Sequence, residues 1–364
     1  MRLATVFDKE SNEPRPVFEL PGGQRIELRE LFRVEPAASV APDAAGTDAA
    51  DEEMAELPLY FTDLTKTMEF LDDVIDAVRQ WSRQRADRPA ATDAASPGAT
   101  RVDSMPFLPP VPIVRSFREF DAFEQHAKAW RARHELKLSP AWYDAPSLAF
   151  RNAGALIGHE NPVHAPATSE ELDYGLQIAA IVGRGGRDIR AVDAWNHIAG
   201  FTIVNGFAAR DVERREIAGG LGQAKSCDFA TAVGPYLVSL NSLRDRIDAD
   251  DRLHLAMRAL VNGNELSRAD ASSMFFTWPQ LIEHASRDAE LFPGDLISGG
   301  VVGTGSVLDL GGANAAPWLR AGDVVELEVE RLGILRTPIV HPPLRSSSGV
   351  AEAGAMVART AMSI

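Results

Sequence analysis

Three short stretches of this chain gather the side chains best able to do chemistry. Residues 170–177 hold Glu170, Glu171 and Asp173 ahead of Gln177; residues 205–211 hold Asn205, Arg210 and Asp211; residues 225–228 hold Lys225, Cys227 and Asp228. On a strand, residues two apart point to one face, so Glu171 and Asp173 form a same-face carboxylate pair, the arrangement by which oxygen ligands meet a hard cation. Arg210 beside Asp211 reads either as a clamp for an anionic substrate or as a structural salt bridge. Cys227, the single cysteine, is a nucleophile only if cations such as Lys225 and Arg210 favour its thiolate; buried in apolar surroundings it is inert. Gly183-Arg184-Gly185-Gly186-Arg187 has the glycines of a phosphate loop. It lacks the Lys-Ser/Thr ending and a following long helix, so it reads as a hairpin turn with solvated arginines.

The elements that must position these groups follow from pattern. Residues 1 to 35 alternate apolar and polar side chains around Pro21-Gly22-Gly23, which predicts a hairpin. The stretches 36–58 and 86–101 are rich in Ala, Pro and Asp with few large apolar groups, and such inserts bury too little surface to offset their ordering entropy. Between them, from Thr62, Leu64, Met68, Leu71, Ile75 and Val78 recur at the spacing of one helical face. Residues 1–110 therefore read as a small N-terminal domain with flexible inserts, 111–345 as the main domain and 346–364 as a tail. The main domain is strand-rich, with short helical stretches near 120–134, 191–198, 207–217 and 279–287. It shows no repeat and no sustained βαβ alternation, so the fold class is α+β, mostly β.

The chain has 364 residues, 45% of them apolar, enough to bury an ordinary core. A formal net charge of −15, from 37 Lys plus Arg against 52 Asp plus Glu, repels a phosphate backbone or an anionic membrane. Nucleic acid and membrane are not expected partners. One cysteine excludes an intrachain disulfide, and no apolar run approaches the roughly 20 residues that span a bilayer. A cytoplasmic protein is the expectation.

Asp173-Tyr174-Gly175-Leu176-Gln177, Asn205-Gly206-Phe207-Ala208-Ala209-Arg210-Asp211 and Ser226-Cys227-Asp228-Phe229-Ala230-Thr231 resemble three motifs of the fumarylacetoacetate hydrolase family, written D-Y/F-E-x-E, N-D-W-S-A-R-D and G-K-D/S-F-x-T. Val261-Asn262-Gly263, Pro293-Gly294-Asp295-Leu296-Ile297, Gly303-Thr304-Gly305 and Ala321-Gly322-Asp323-Val324 continue the similarity in order. The resemblance implies a mixed β-roll preceded by a small β-rich N-terminal domain, usually as a homodimer. In the family two Glu, an Asp and a further Asp seven residues before a catalytic His hold Mg²⁺ or Ca²⁺, with a Lys beside the metal. Here the matching positions are Gly175, Gln177, Gly206, Glu119 and Cys227. One carboxylate, Glu119, is too little charge to hold Mg²⁺ against its hydration shell, so no metal and no other cofactor is expected. Shifting the register to use Glu171 and Asp173 would restore carboxylates but break the match of residues 176–183 with the family's strand.

The resemblance also places His126 at the catalytic histidine, with Asp309 as its carboxylate partner where relatives carry Glu. A His–carboxylate pair is the best acid/base device present, and Glu119 joins it as a catalytic candidate. Asp121, Arg210, Glu213, Cys227, Lys225 and Gly300 fall on positions implied to meet the substrate. Asp121 replaces a Tyr, Gly300 a Thr and Glu213 a Gln of the family pattern. The expected function is metal-independent tautomerisation, dehydration, cyclisation or decarboxylation of a small carbonyl or polyketide-like molecule. A catalytically inactive homologue that binds a metabolite or an active paralogue is the alternative, and a Mg²⁺-dependent C–C hydrolase of diketo acids a second one.

Overall fold

The alternating N-terminus forms the hairpin its pattern predicts. In a computed structural model, which describes residues 1–20, 22–29, 74, 76–78, 80, 102–220 and 222–342, β1 (Arg2–Asp8), β2 (Glu13–Glu19) and β3 (Arg25–Glu27) pair antiparallel. Gly22 and Gly23 turn the chain at φ 112° and 89°, values that side chains other than glycine's rarely adopt. Of the helix expected from Thr62, residues 74, 76–78 and 80 are helical, with Val74 and Val78 buried. The inserts 36–58 and 86–101 and the tail 346–364 lie outside the described residues.

From Phe107 onward the chain contributes β4 (Phe107–Leu108), β5 (Phe117–Phe120), α1 (Glu124–Arg133), α2 (Ala141–Asp144), β6 (Leu148–Phe150), β7 (Leu156–Ile157), β8 (Val163–His164), β9 (Leu172–Asp173), β10 (Leu176–Val182) and β11 (Ile198–Gly206). Then come β12 (Ala208–Ala209), α3 (Arg210–Ala218), β13 (Thr231–Ser239), β14 (Ala256–Val261), β15 (Asn264–Asp270), α4 (Trp278–Ser286), β16 (Leu296–Ser298), β17 (Val324–Val329) and β18 (Gly333–Val340). An 11-stranded sheet runs β3-β2-β1-β13-β11-β10-β16-β5-β6, with β4 on β1 and β7 on β13; a five-stranded sheet runs β15-β14-β17-β18-β8. The first three strands are thus hydrogen-bonded into the main sheet through β1 and β13. The sequence reading set them in a small domain of their own, because the pattern of a strand does not say which edge it joins.

β10 and β11 are buried along their whole length, which is why they read as near-continuous apolar runs without alternation. The largest core packs one face of this central pair against α4 and the five-stranded sheet, with Phe201, Trp278, Ile178 and Leu327 in it. A second core on the other face joins Phe18, Phe117, Ala179 and Val204. Two neighbouring polar positions on β10 and β16, Gln177 and Ser298, are fully buried, and they mark where the sheet opens into a site.

Candidate active site

His126 sits on the first turns of α1, a helix whose Glu124 at the start and Arg131 and Arg133 at the end complement its dipole. Its Nδ1 lies 2.8 and 3.0 Å from the two carboxylate oxygens of Asp309. A carboxylate accepts, so Nδ1 carries the proton and Nε2 is left as the basic nitrogen. Asp309 is fixed in turn by a 2.8 Å bond from the Ser306 hydroxyl. Burial alone would lower the His126 pKa, but the charge and hydrogen bond of Asp309, with the charge of Asp121, outweigh burial and Arg210 and hold the imidazolium above the ordinary histidine value. Shortening Glu to Asp at this position therefore keeps direct contact with the histidine.

A buried ionic network sets the distance between α1 and Asp309. Asp173 accepts from the backbone N–H groups of Val307 (2.8 Å) and Leu308 (3.2 Å), the two residues ahead of Asp309, and from Arg210 Nε (2.9 Å). Arg210 Nη1 reaches both oxygens of Glu213 at 3.1 Å. Glu213 accepts from the indole N–H of Trp130 at 3.1 Å, one helical turn beyond His126 on the same face of α1, and from Gln223. Burial would raise the Glu213 carboxyl, but Arg210 and the Trp130 bond hold it below the usual range. The Arg210–Asp211 pairing weighed from sequence does not form. Adjacent residues on a helix point apart, and Asp211 instead binds the Ser169 hydroxyl at 2.6 Å.

Glu119 meets a partner that sequence reading missed. β6 runs antiparallel to β5 with Ala149 opposite Glu119, and the Arg151 N–H bonds Phe117 O at 3.0 Å. Arg151 therefore stands diagonally across from Glu119 on one face, within reach of a long side chain. Its guanidinium forks onto the carboxylate, Nε to Oε2 at 2.9 Å and Nη2 to Oε1 at 2.6 Å. Ser298 pairs with both Glu119 and Ala179, so β16 carries the same face across to β10 and Gln177. Gln177 Nε2 donates to Glu119 Oε2 at 3.0 Å, and the Ser298 hydroxyl donates to Gln177 Oε1 at 2.6 Å.

These residues do not fit a divalent cation. A carboxylate that accepts three hydrogen bonds, two of them from a guanidinium, has its charge already met. A Cβ on Gly206 would lie 2.5 Å from Gln177 Nε2 and 3.5 Å from Arg151 Nη2; one on Gly175 would lie 2.8 Å from the Gly206 carbonyl oxygen. The two glycines thus make room for the Gln177 amide and a close backbone approach, where ligand side chains would have stood. Among the described residues no group of three or more His, Cys, Asp or Glu could hold a metal.

The remaining candidates sort by burial and partner. Glu119 is no free acid or base, because Arg151 and Gln177 engage both its oxygens. Asp121, a partly exposed residue, is tied to Arg131 at 2.9 Å and to the Trp142 indole at 3.1 Å, and its charge acts on His126. Lys225 is exposed and bound to Asp228 at 3.1 Å, leaving it no part in activating Cys227. Cys227 is buried, and desolvation pushes its thiol up against the opposing pull of Arg151 and Arg210, which argues against a thiolate nucleophile. At Gly300, φ 89°, a Cβ would stand 2.0 Å from the Phe120 carbonyl oxygen, so this position contributes backbone shape and no side-chain contact. Residues 183–187 form no tight hairpin turn: they open the long connection from β10 to β11, which holds a 3-10 helix at Ala191–His197, with Gly186 bridging to Leu291 and Arg187 exposed.

Arg151, Asn152, Gln223, Lys225, Cys227 and Asp228 line an open cleft of about 490 Å³. The charge of Arg210 acts on His126, on Arg151 and on Cys227, which couples the His126–Asp309 pair electrostatically to the Arg151–Glu119 pair. Such an arrangement can take a proton at His126 Nε2 and stabilise negative charge at Arg151.

Residues 115–340 match the family described as fumarylacetoacetate (FAA) hydrolase C-terminal. The chain is 33% identical over 197 residues to an oxaloacetate tautomerase, YisK, of Bacillus subtilis, covering 53% of this chain and 61% of that protein. It is 29% identical over 196 residues to a mitochondrial oxaloacetate tautomerase of Xenopus laevis, covering 54% and 58%. The match thus spans less than two-thirds of either relative. The fold is that of a fumarylacetoacetate hydrolase from Exiguobacterium antarcticum, with a TM-score of 0.62 at 19% identity over 94% of this chain and 99% of that one.

Proposed function

The chain belongs to the fumarylacetoacetate hydrolase family, and from that premise we propose that it is an enzyme that moves a proton on a small oxo acid, a keto–enol tautomerisation, without a divalent cation. The observation that carries this reading is the His126–Asp309 pair, 2.8 Å apart, with the Asp309 carboxylate buried and His126 partly exposed. Asp309 fixes the imidazole so that Nε2 removes the proton from the carbon beside the carbonyl. The imidazolium that forms is stabilised by Asp309 and returns the proton to the other end of the enolate. The relatives named as oxaloacetate tautomerases support this reaction class over C–C hydrolysis, and the Gln177 amide and Arg151 guanidinium beside Gly206 support a reaction that needs no metal-held water.

The test is loss of the enol absorbance of oxaloacetate, followed with chelator-treated full-length protein. The expected result is an accelerated decay that added Mg²⁺ does not increase, and that His126→Ala slows by about 10²-fold or more. A rate that appears only with Mg²⁺ or Mn²⁺ would remove the metal-free mechanism. Equal rates for wild type and His126→Ala would remove the base assignment. Absence of turnover on oxaloacetate and other small 2-oxo acids would favour the inactive, metabolite-binding alternative.

A further inference from the structure

We propose that Arg151 is the resident cation of the site: its guanidinium takes the place of the divalent ion and binds the paired oxygens of a 2-oxo carboxylate or its enolate. The inference rests on the oxo-acid reading above and adds the residue that holds the substrate's negative charge. Three observations converge on it. The Arg151 side chain is 7% exposed and locked in a bidentate bond to Glu119, so its position is fixed before any ligand arrives. Its third nitrogen, Nη1, is buried and has no hydrogen-bond partner among the described residues, an arrangement that costs free energy unless an acceptor comes to it. The residue lines the cleft, and its Nη2 borders the space where a side chain at 206 would have stood.

The charges also balance. Arg151 contributes +1 and Glu119 −1, with Gln177 neutral, so the Arg–Glu–Gln unit is neutral and accepts an anion only through its directed N–H groups. Arg210 is committed to Asp173 and Glu213. A planar dianion with adjacent oxygens suits the guanidinium edge that Glu119 leaves unused, whose donors lie in one plane at fixed spacing. Enolate charge develops during proton removal, so a cation preorganised in this way lowers the barrier as well as binding the ground state.

Oxalate, which carries two adjacent carboxylate groups and mimics the enolate of a 2-oxo acid, is the probe. It is titrated calorimetrically into metal-free, full-length protein. Wild type binds it without added metal, Arg151→Gln weakens binding at least tenfold, and Arg151→Lys keeps part of the affinity. Because Arg151→Gln leaves Glu119 buried without its cation, the double substitution Arg151→Gln, Glu119→Gln is measured beside it, with circular dichroism to establish folding; it too loses oxalate. Oxalate binding by wild type that needs Mg²⁺ or Mn²⁺, or undiminished binding by the folded double variant, overturns the proposal. Arg151-dependent oxalate binding in a protein with no turnover sustains this inference while ending the enzymatic reading, and metal-free turnover with no role for Arg151 in binding does the reverse.

Discussion

Asp309→Asn tests the His126 pair most directly, since it removes one charge and almost no volume. In the native protein both Asp309 oxygens face Nδ1, at 2.8 and 3.0 Å, in a setting where the Asp309 side chain is 1% exposed. A hydrogen bond to a charged partner contributes about 1.5–3 kcal/mol. Proton removal from substrate makes the imidazolium, so most of that stabilisation is present in the transition state and absent from the variant. At about 1.4 kcal/mol per tenfold, kcat/KM falls about 10- to 10²-fold. The pH dependence supplies the sign. His126 must be neutral to act as a base, and Asp309 holds it protonated to higher pH than an ordinary histidine, so the rising limb of kcat/KM in wild type lies above the ordinary histidine value. In Asp309→Asn, burial and Arg210 face only the charge of Asp121, and the limb moves to lower pH. Stability follows the same linkage. A raised folded-state pKa contributes stability that is full below the unfolded value of about 6.5 and is lost as pH rises through the folded value. The melting-temperature gap between wild type and Asp309→Asn is therefore wide near pH 6 and narrows above it. The assay is a pH–rate profile of both proteins on oxaloacetate, with histidine titration by NMR. An unchanged limb together with an unchanged rate would refute the assignment of His126 as the base.

Arg210→Met leaves the Asp173 and Glu213 carboxylates buried without their cation, and a loss of about 3–5 kcal/mol is expected in urea denaturation; a loss under about 1 kcal/mol would show that the network does not hold α1 to Asp309. Cys227, buried with its thiol pushed up by desolvation, is expected to react with iodoacetamide far more slowly in native than in unfolded protein, as read by mass spectrometry. Equal labelling of both would restore the nucleophile reading.

The similarity carried by Pro293-Gly294-Asp295 and the three degraded motifs was legible from the sequence because turns and buried strands are local: β10 and β11 are apolar on both faces whatever surrounds them. The helices near 124–133, 210–218 and 278–286 were legible for the same reason. The attachment of β1 to β13 was not, since strand pairing between residues more than 200 positions apart leaves no trace in either segment.

The site divides along the same line. Sequence determined what is missing, namely carboxylates at 175, 177 and 206, and it determined that a histidine and an acid stand at 126 and 309. Only the tertiary structure decided what fills the gap. Arg151 looks like any surface arginine in the chain, and it becomes a buried cation because β5, β6, β16 and β10 lie side by side and turn Glu119, Arg151, Ser298 and Gln177 onto one face. Likewise Arg210 and Asp211 are neighbours in sequence but diverge on α3, while Asp173, 37 residues away, is the partner that burial selects. Charge is written in the sequence; which charges meet is decided by register and by the cost of leaving any of them buried alone.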